Sequence, residues 1–109
     1  MKTFWDFTDE LNELSTNTLG RYASKALQRS DIATSSGAEK HGEKRSKGAQ
    51  LAVKKMGQKT GDKSTATRTS NKIAKNTDLA KKWRADKSVD RNKTYQSAAK
   101  GINKLRGKA

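Results

Sequence analysis

The chain has 109 residues, with 25 Lys and Arg against 11 Asp and Glu, which gives a formal net charge of +14. High charge combined with few Leu, Ile, Val and Phe residues is typical of chains that are partly disordered in isolation, because little apolar area offsets the entropy of ordering the backbone. The length allows one small domain, the lack of cysteine excludes disulfides and cysteine zinc sites, and no apolar run is long enough to cross a membrane.

Charge and apolar residues are unevenly distributed along the chain. Residues 1–30 contain equal numbers of basic and acidic side chains, so the excess of positive charge belongs to the rest of the sequence. The sequence therefore predicts a neutral amphipathic helical hairpin over residues 1–32 and a basic region over residues 33–109, in which helices alternate with flexible linkers. The fold class is mainly α, since proline is absent and no alternating run of β-branched residues predicts a strand.

The predicted hairpin consists of two helices separated by a turn at residues 15–18, where Ser, Thr and Asn side chains compete for backbone hydrogen bonds. Each helix has an apolar stripe at helical spacing, one before the turn and one from about residue 17 to about residue 30. We expect these stripes to dock on a protein partner or on a second copy of the chain. The expected docking residues are Phe4, Phe7, Leu11, Leu14, Leu19 and Tyr22.

The turn itself has two interpretations. Its Ser and Thr residues either cap the second helix or, together with Arg21, contact DNA as the start of a recognition helix in a helix-turn-helix. The preceding helix is acidic and would repel phosphate, which favours capping.

The basic region is predicted to contain three helices, over about 38–56, 71–87 and 92–105. In each of them Ala and larger apolar residues recur on one side among Lys and Arg. Residues 31–37 are predicted to be a connector. Residues 57–70 are rich in Thr, Ser and Gly and have no large apolar side chain, so they are predicted to be a flexible linker.

Residues typical of catalytic and metal sites are scarce. His41 is the only histidine and stands in a polar stretch, so a solvated side chain is the simpler interpretation. The carboxylates beyond residue 30 are scattered singly among cations, and no Gly-rich phosphate loop is present. We therefore expect a protein that is not an enzyme and that uses no cofactor, no metal and no small-molecule substrate.

Basic clusters recur throughout residues 33–109, and +14 exceeds the roughly 2–8 charges that keep a small domain soluble. Lys and Arg that neutralise phosphates release condensed counterions, which gives affinity for nucleic acid without base recognition. We expect DNA rather than RNA as the partner, and no membrane binding, since no segment combines a wide apolar face with dense positive charge. The candidate nucleic-acid-binding residues are Lys44, Arg45, Lys47, Lys54, Lys55, Lys81, Lys82, Arg84, Lys100, Lys104 and Arg106.

Two aromatic residues, Trp83 and Tyr95, lie among these cations. They either stack on bases or anchor their own helices to a core. Anchoring is the simpler of the two interpretations.

Two blocks of the sequence resemble small, uncharacterised basic proteins of tailed bacteriophages. Residues 13–26 fit the pattern ELSxxTLGxYxxKA, and residues 44–56 fit KRxKGxxxAxxKM, where Met56 stands in place of the usual Leu. The resemblance implies a phage product located in the virion or in the host cytoplasm. It implies no site residues, and residues 57–109 lie outside it.

Three hypotheses follow from these observations. The first is a phage-encoded protein that binds nucleic acid through phosphate contacts while its N-terminal face docks on a protein partner. The second is a structural virion protein associated with capsid, portal or tail. The third is an inhibitor or adaptor of an acidic host protein, such as a transcription factor or a defence factor.

Overall fold

The computed structural model describes residues 15–107, which contain four α-helices and no strand. The helices are α1 (Thr16–Ser36), α2 (Glu39–Thr60), α3 (Lys63–Ala85) and α4 (Asn92–Arg106). The predicted mainly α fold class is therefore confirmed. The first predicted helix, with Phe4, Phe7, Leu11 and Leu14, lies outside the described residues.

The helix ends are set by short polar side chains and by glycine. Ser15 caps α1, because its side chain accepts a hydrogen bond from the Thr18 amide at 3.2 Å. Asp62 caps α3 in the same way, by accepting from the Thr65 amide at 3.1 Å. Gly37 and Gly61 end α1 and α2 with φ angles of 111° and 79°, which glycine adopts without the steric cost of a Cβ. The capping interpretation of Ser15 is thus confirmed.

Successive helices run in opposite directions. Side chains near the end of α1 therefore meet the end of α3 and the start of α4, as in the hydroxyl contact of Ser30 with Thr77 at 3.3 Å and the ion pair of Asp31 with Arg91 at 2.9 Å. At the other end of the bundle the Arg106 guanidinium donates to the Asn17 side-chain carbonyl at 2.8 Å. Helix α1 contacts all three other helices, whereas α2 and α4 contact each other least. The result is a flat bundle with extents of 40 × 33 × 17 Å.

The core is built mainly from small side chains that recur every three or four residues along each helix. Fully buried large residues are few among the described residues, and the positions between them are occupied by Ala, Gly, Ser and Thr. Such residues let helix backbones approach closely, so dispersion contacts between main chains replace part of the missing large apolar volume. The largest fully buried apolar side chains are Leu19, Leu27, Val53, Met56, Ile73, Ile102 and Leu105.

The closest approach of α1 and α2 is centred on Gly42. A Cβ at this position would lie 1.8 Å from Thr34 Oγ1 and 3.1 Å from the Thr34 backbone nitrogen. The buried Ser30 hydroxyl donates to the Gly42 carbonyl at 2.7 Å, which ties the two helices together at the same level. A glycine also allows α2 and α3 to approach closely, since Gly57 of α2 faces Ala66 of α3.

The predicted linker at residues 57–70 is wrong. Only Gly61 and Asp62 interrupt the helices there, and residues 63–70 form the first two turns of α3. The polar residues that suggested a linker are core residues. Thr65, Thr69 and Ser70 are buried on the same side of the helix as Ile73, at helical spacing. The predicted connector at 31–37 is wrong for a similar reason, since α1 continues to Ser36 and buries Thr34.

The residue-32 boundary between the two predicted regions falls inside α1, which is continuous and has its largest contact with α2. Leu19 was expected to dock on a partner but is completely buried in the core of this chain, so it presents no docking surface. Tyr22 is half-buried and packs against the same core. Partial disorder of the isolated chain stays a prediction.

Replacing Gly42 by Ala tests the close approach of α1 and α2. In an ordinary helix this change is stabilising by about 0.5–1 kcal/mol. Here we expect a loss of about 1–3 kcal/mol, because the new methyl group would force Thr34 and the α1 backbone away. Urea unfolding followed by circular dichroism measures the change.

The matched control is Gln58→Ala, an exposed position on the same helix, where the unfolding free energy should change little. The double variant Thr34→Ala, Gly42→Ala should recover part of the loss, since it removes the nearest clashing atom. A Gly42→Ala variant as stable as the parent would show that the helices do not pack this closely.

Candidate nucleic-acid interface

The outward side of α2 brings together five of the predicted nucleic-acid-binding residues. Lys44, Lys47 and Lys54 are exposed at helical spacing, and the half-buried Arg45 and Lys55 flank them. Lys44 and Lys54 are about 15 Å apart along the helix axis at 1.5 Å per residue. We call these five residues the α2 face.

No Asp or Glu occurs between residues 44 and 61, and the acidic side chain next to the α2 face is Glu43, which also interacts electrostatically with Lys47. Two exposed lysines extend it in opposite directions, Lys40 before it and Lys59 after it. The sequence clusters did not include these two residues. The four-residue helical spacing of the sequence identifies them, since Lys40 precedes Lys44 by one turn and Lys59 follows Lys55 by one turn.

Two of the predicted contacts on α3 are used within the protein instead. Lys81 pairs with Glu43, and Arg84 lies 3.5 Å from Glu39, so both cations bridge α3 to the start of α2. The hydrogen bond and charge of Lys81 hold the pKa of the Glu43 carboxyl below its usual range, and the hydrogen bond that Lys81 donates to Glu43 raises the pKa of Lys81. Lys82 and Arg84 are both exposed, and Lys82 is the member of the predicted α3 cluster that takes no part in these two ion pairs.

The remaining predicted residues lie on α4. Lys100 and Lys104 are exposed, but on the helix that has least contact with α2. Arg106 is half-buried, donates to Asn17, and lays its aliphatic stem over Gly20, where a Cβ would come within 2.2 Å of it. Arg106 therefore has a structural role, and the predicted set divides between two faces of the bundle.

Folding also separates the acidic side chains from most of the basic ones. In residues 15–107 every Asp and Glu except Asp62 lies toward the end where α1 and α3 finish and α2 and α4 begin. The ion pairs Lys81–Glu43, Arg84–Glu39 and Arg91–Asp31 all lie at this end, which we call the Trp83 end. The rest of the described surface carries Lys and Arg with no carboxylate except the capping Asp62.

A cavity of about 500 Å³ opens at the Trp83 end, between the end of α1 and the loop before α4. Ile32, Trp83, Val89 and Tyr95 supply its apolar lining. The Lys87 ammonium and the Arg91 guanidinium lie over the Trp83 ring, at 3.5 and 4.4 Å from its centre. Tyr95 packs against the core cluster, as the anchoring interpretation predicts for it.

The described residues contain no group of three His, Cys, Asp or Glu side chains placed to hold a metal ion. None of the helices in residues 15–107 is apolar enough over sufficient length to span a membrane.

Comparisons with known proteins give no relative: no family model matches the chain, and neither the curated proteins nor the solved structures include a match.

Burial raises the pKa of both tyrosines above the ordinary value of about 10, with a smaller contribution from Asp31 at Tyr95 and a smaller opposing effect of Arg45 at Tyr22. A raised pKa means that the folded state favours the neutral phenol. The resulting stabilisation is complete below pH 10 and is lost as the pH rises through the folded-state values.

This shift can be measured directly, because Tyr22 and Tyr95 are the only tyrosines of the chain. We expect the absorbance change at 295 nm to have its midpoint above pH 10 in the folded protein and near 10 in guanidinium chloride. Tyr22→Phe and Tyr95→Phe assign the two transitions. Identical midpoints in folded and unfolded protein would contradict the burial of both rings.

Proposed function

We propose that this chain is a phage-encoded, non-enzymatic protein that binds nucleic acid, DNA in the first place, through phosphate contacts made by the α2 face. The observation that carries the proposal is the density of exposed cations on one side of α2 with no acidic residue between positions 44 and 61. The resemblance of residues 13–26 and 44–56 to tailed-phage proteins supports the phage origin and a location in the virion or in the host cytoplasm.

The ion pairs of the bundle support the choice of α2 over the end of α3. The described ion pairs occupy Lys81, Arg84 and Arg91, so these cations are partly neutralised before any ligand arrives. None of these three ion pairs involves the α2 face, where Lys47 interacts electrostatically with Glu43 without forming an ion pair with it. Release of condensed counterions then provides most of the binding free energy.

The straightness of the helix explains why such an interface ignores sequence. Cations on one side of an α-helix form a nearly linear row, and duplex DNA presents one phosphate charge per about 1.7 Å of its axis. The row can meet phosphates in any register along the backbone, and phosphate contacts carry no sequence information. We expect similar affinity for unrelated DNA sequences of equal length.

The test is the triple variant Lys44→Gln, Lys47→Gln, Lys54→Gln, which removes three exposed cations from the α2 face. We expect at least a tenfold weaker binding to a mixed-sequence duplex at 50 mM salt, and a slope of log K against log salt that is shallower by about 0.9 for each phosphate that the variant no longer neutralises. Fluorescence anisotropy over a salt series measures both quantities, with an RNA duplex of the same sequence in parallel.

The matched control is Lys93→Gln, Lys100→Gln, Lys104→Gln, which lowers the net charge equally but on α4, where these residues are also exposed. Its affinity and salt slope should stay closer to those of the parent. Equal losses in both variants would show that binding depends on net charge rather than on the α2 face. A parent protein that binds neither DNA nor RNA at low salt would refute the proposal.

A further inference from the structure

The outward side of α1 carries three cations that the α2 face does not include. Arg21, Lys25 and Arg29 are exposed and follow one another at intervals of four residues, so they lie one above the other on the helix. We call these three residues the α1 row. The row is about 12 Å long at 1.5 Å per residue, the length that roughly three or four phosphates of one DNA strand occupy along the duplex axis.

A contact between Tyr22 of α1 and Gly48 of α2 places the α1 row beside the α2 face. The Tyr22 hydroxyl oxygen lies against Gly48, where a Cβ would come within 2.5 Å of it, and Arg45 interacts electrostatically with the same tyrosine. Tyr22 precedes Lys25 by three residues and Arg29 by seven, so it lies on their side of α1. The α1 row therefore borders the line along which α1 meets α2.

The same spacing rule applies on α2. Gly48 follows Lys44 by four residues and precedes Lys55 by seven, so these two lysines lie on its side of the helix. Lys44 is exposed, whereas Lys55 and Tyr22 are half-buried. The two helices therefore present cations on either side of a seam at which Tyr22 meets Gly48.

The carboxylates of α1 and α2 are paired away from this seam. The two helices contain three acidic residues, Asp31, Glu39 and Glu43. Asp31 pairs with Arg91 at the start of α4, and the two glutamates pair with cations of α3. Glu43 also interacts electrostatically with Lys47, one turn further along its own side of α2. None of these three ion pairs involves a cation of the α1 row.

We propose that the α1 row is a second row of phosphate contacts, so that α1 and α2 bind the two strands of double-stranded DNA on either side of one groove. This inference rests on the nucleic-acid binding proposed for the α2 face and specifies a duplex as its ligand. The axes of packed helices are about 8–10 Å apart, and the grooves of B-DNA are about 6 and 12 Å wide. The two rows are therefore spaced to reach phosphates across a groove, whereas a row on one helix follows one strand.

Single-stranded DNA provides the discriminating comparison. One strand has one line of phosphates and neutralises one row at a time, whereas a duplex has a line on each side of a groove and neutralises both. Dividing the slope of log K against log salt by about 0.9 for duplex and about 0.7 for single strand gives the number of phosphates neutralised. We expect this number to be larger for a short duplex than for a single strand of equal length by about three, one for each cation of the α1 row.

The test is the triple variant Arg21→Gln, Lys25→Gln, Arg29→Gln of the full-length protein, measured by fluorescence anisotropy over a salt series. We expect duplex binding at about 50 mM salt to weaken at least tenfold, and the number of neutralised phosphates to fall by about three. Single-strand binding should weaken about threefold or less, because the α2 face still binds one strand. The variant Arg21→Lys, Lys25→Arg, Arg29→Lys conserves the charge and should keep the values of the parent.

The matched control is Arg68→Gln, Lys75→Gln, Lys82→Gln, which removes the same charge from exposed positions that recur every seven residues along α3. Its duplex affinity should stay closer to that of the parent. Equal losses in the α1 and α3 variants would overturn the proposal, because net charge alone would then explain them. An α1 variant that weakens duplex and single-strand binding by the same factor would also overturn it, because the two rows would then bind one strand.

The outcomes also separate this proposal from that of the α2 face. If the α2 triple variant weakens duplex binding and the α1 variant does not, the α2 face binds DNA alone and the second row is refuted. If the α1 row binds a second copy of the chain, its variant should lower the sedimentation coefficient and leave duplex affinity unchanged. If it binds an acidic protein, poly-glutamate should compete with the duplex for the parent but not for the α1 variant. Either of these two results would overturn the proposal.

Discussion

The close contact of α1 with α2 at Gly42 is the constraint on which the rest of the bundle depends. A chain this poor in large apolar residues can bury few bulky side chains, so it gains packing by bringing backbones together. At the same point the buried Ser30 hydroxyl of α1 donates a hydrogen bond to the Gly42 carbonyl of α2, which holds the two helices together. With α1 and α2 held there, α3 closes the core with Ile73 and Thr77, and α4 adds Ile102 and Leu105.

The same packing decides which charges remain available for binding. Pairing the end of α3 with the start of α2 places Lys81 and Arg84 beside Glu43 and Glu39, so these cations hold the bundle together. The outward side of α2 faces none of the described helices and keeps Lys44, Lys47 and Lys54 exposed. One helix therefore packs through Gly, Ala and Ser on its inner side and presents cations on its outer side. The proposal of a phosphate-binding surface on the α2 face is based on this division.

The sequence predicted some of these features well because they depend on local interactions. The cap at Ser15 involves residues only three positions apart, and the α4 stripe of Ala98, Ile102 and Leu105 follows helical spacing directly. The linker at 57–70 was predicted wrongly because Thr and Ser in a core look the same in sequence as Thr and Ser in a loop. These small residues are buried because other helices pack against them. Gly57 of α2 lies opposite Ala66, and Gly101 of α4 lies opposite Thr69.

By itself the sequence determined the helical class, the absence of cysteine chemistry and the large excess of positive charge, because these follow from composition and local spacing. The tertiary structure decided where that charge lies. It gathered nearly all carboxylates of the described residues at the Trp83 end, fixed Arg106 against α1 and left the α2 face outside the described ion pairs. These outcomes depend on contacts between residues up to 89 positions apart, and no local pattern carries that information.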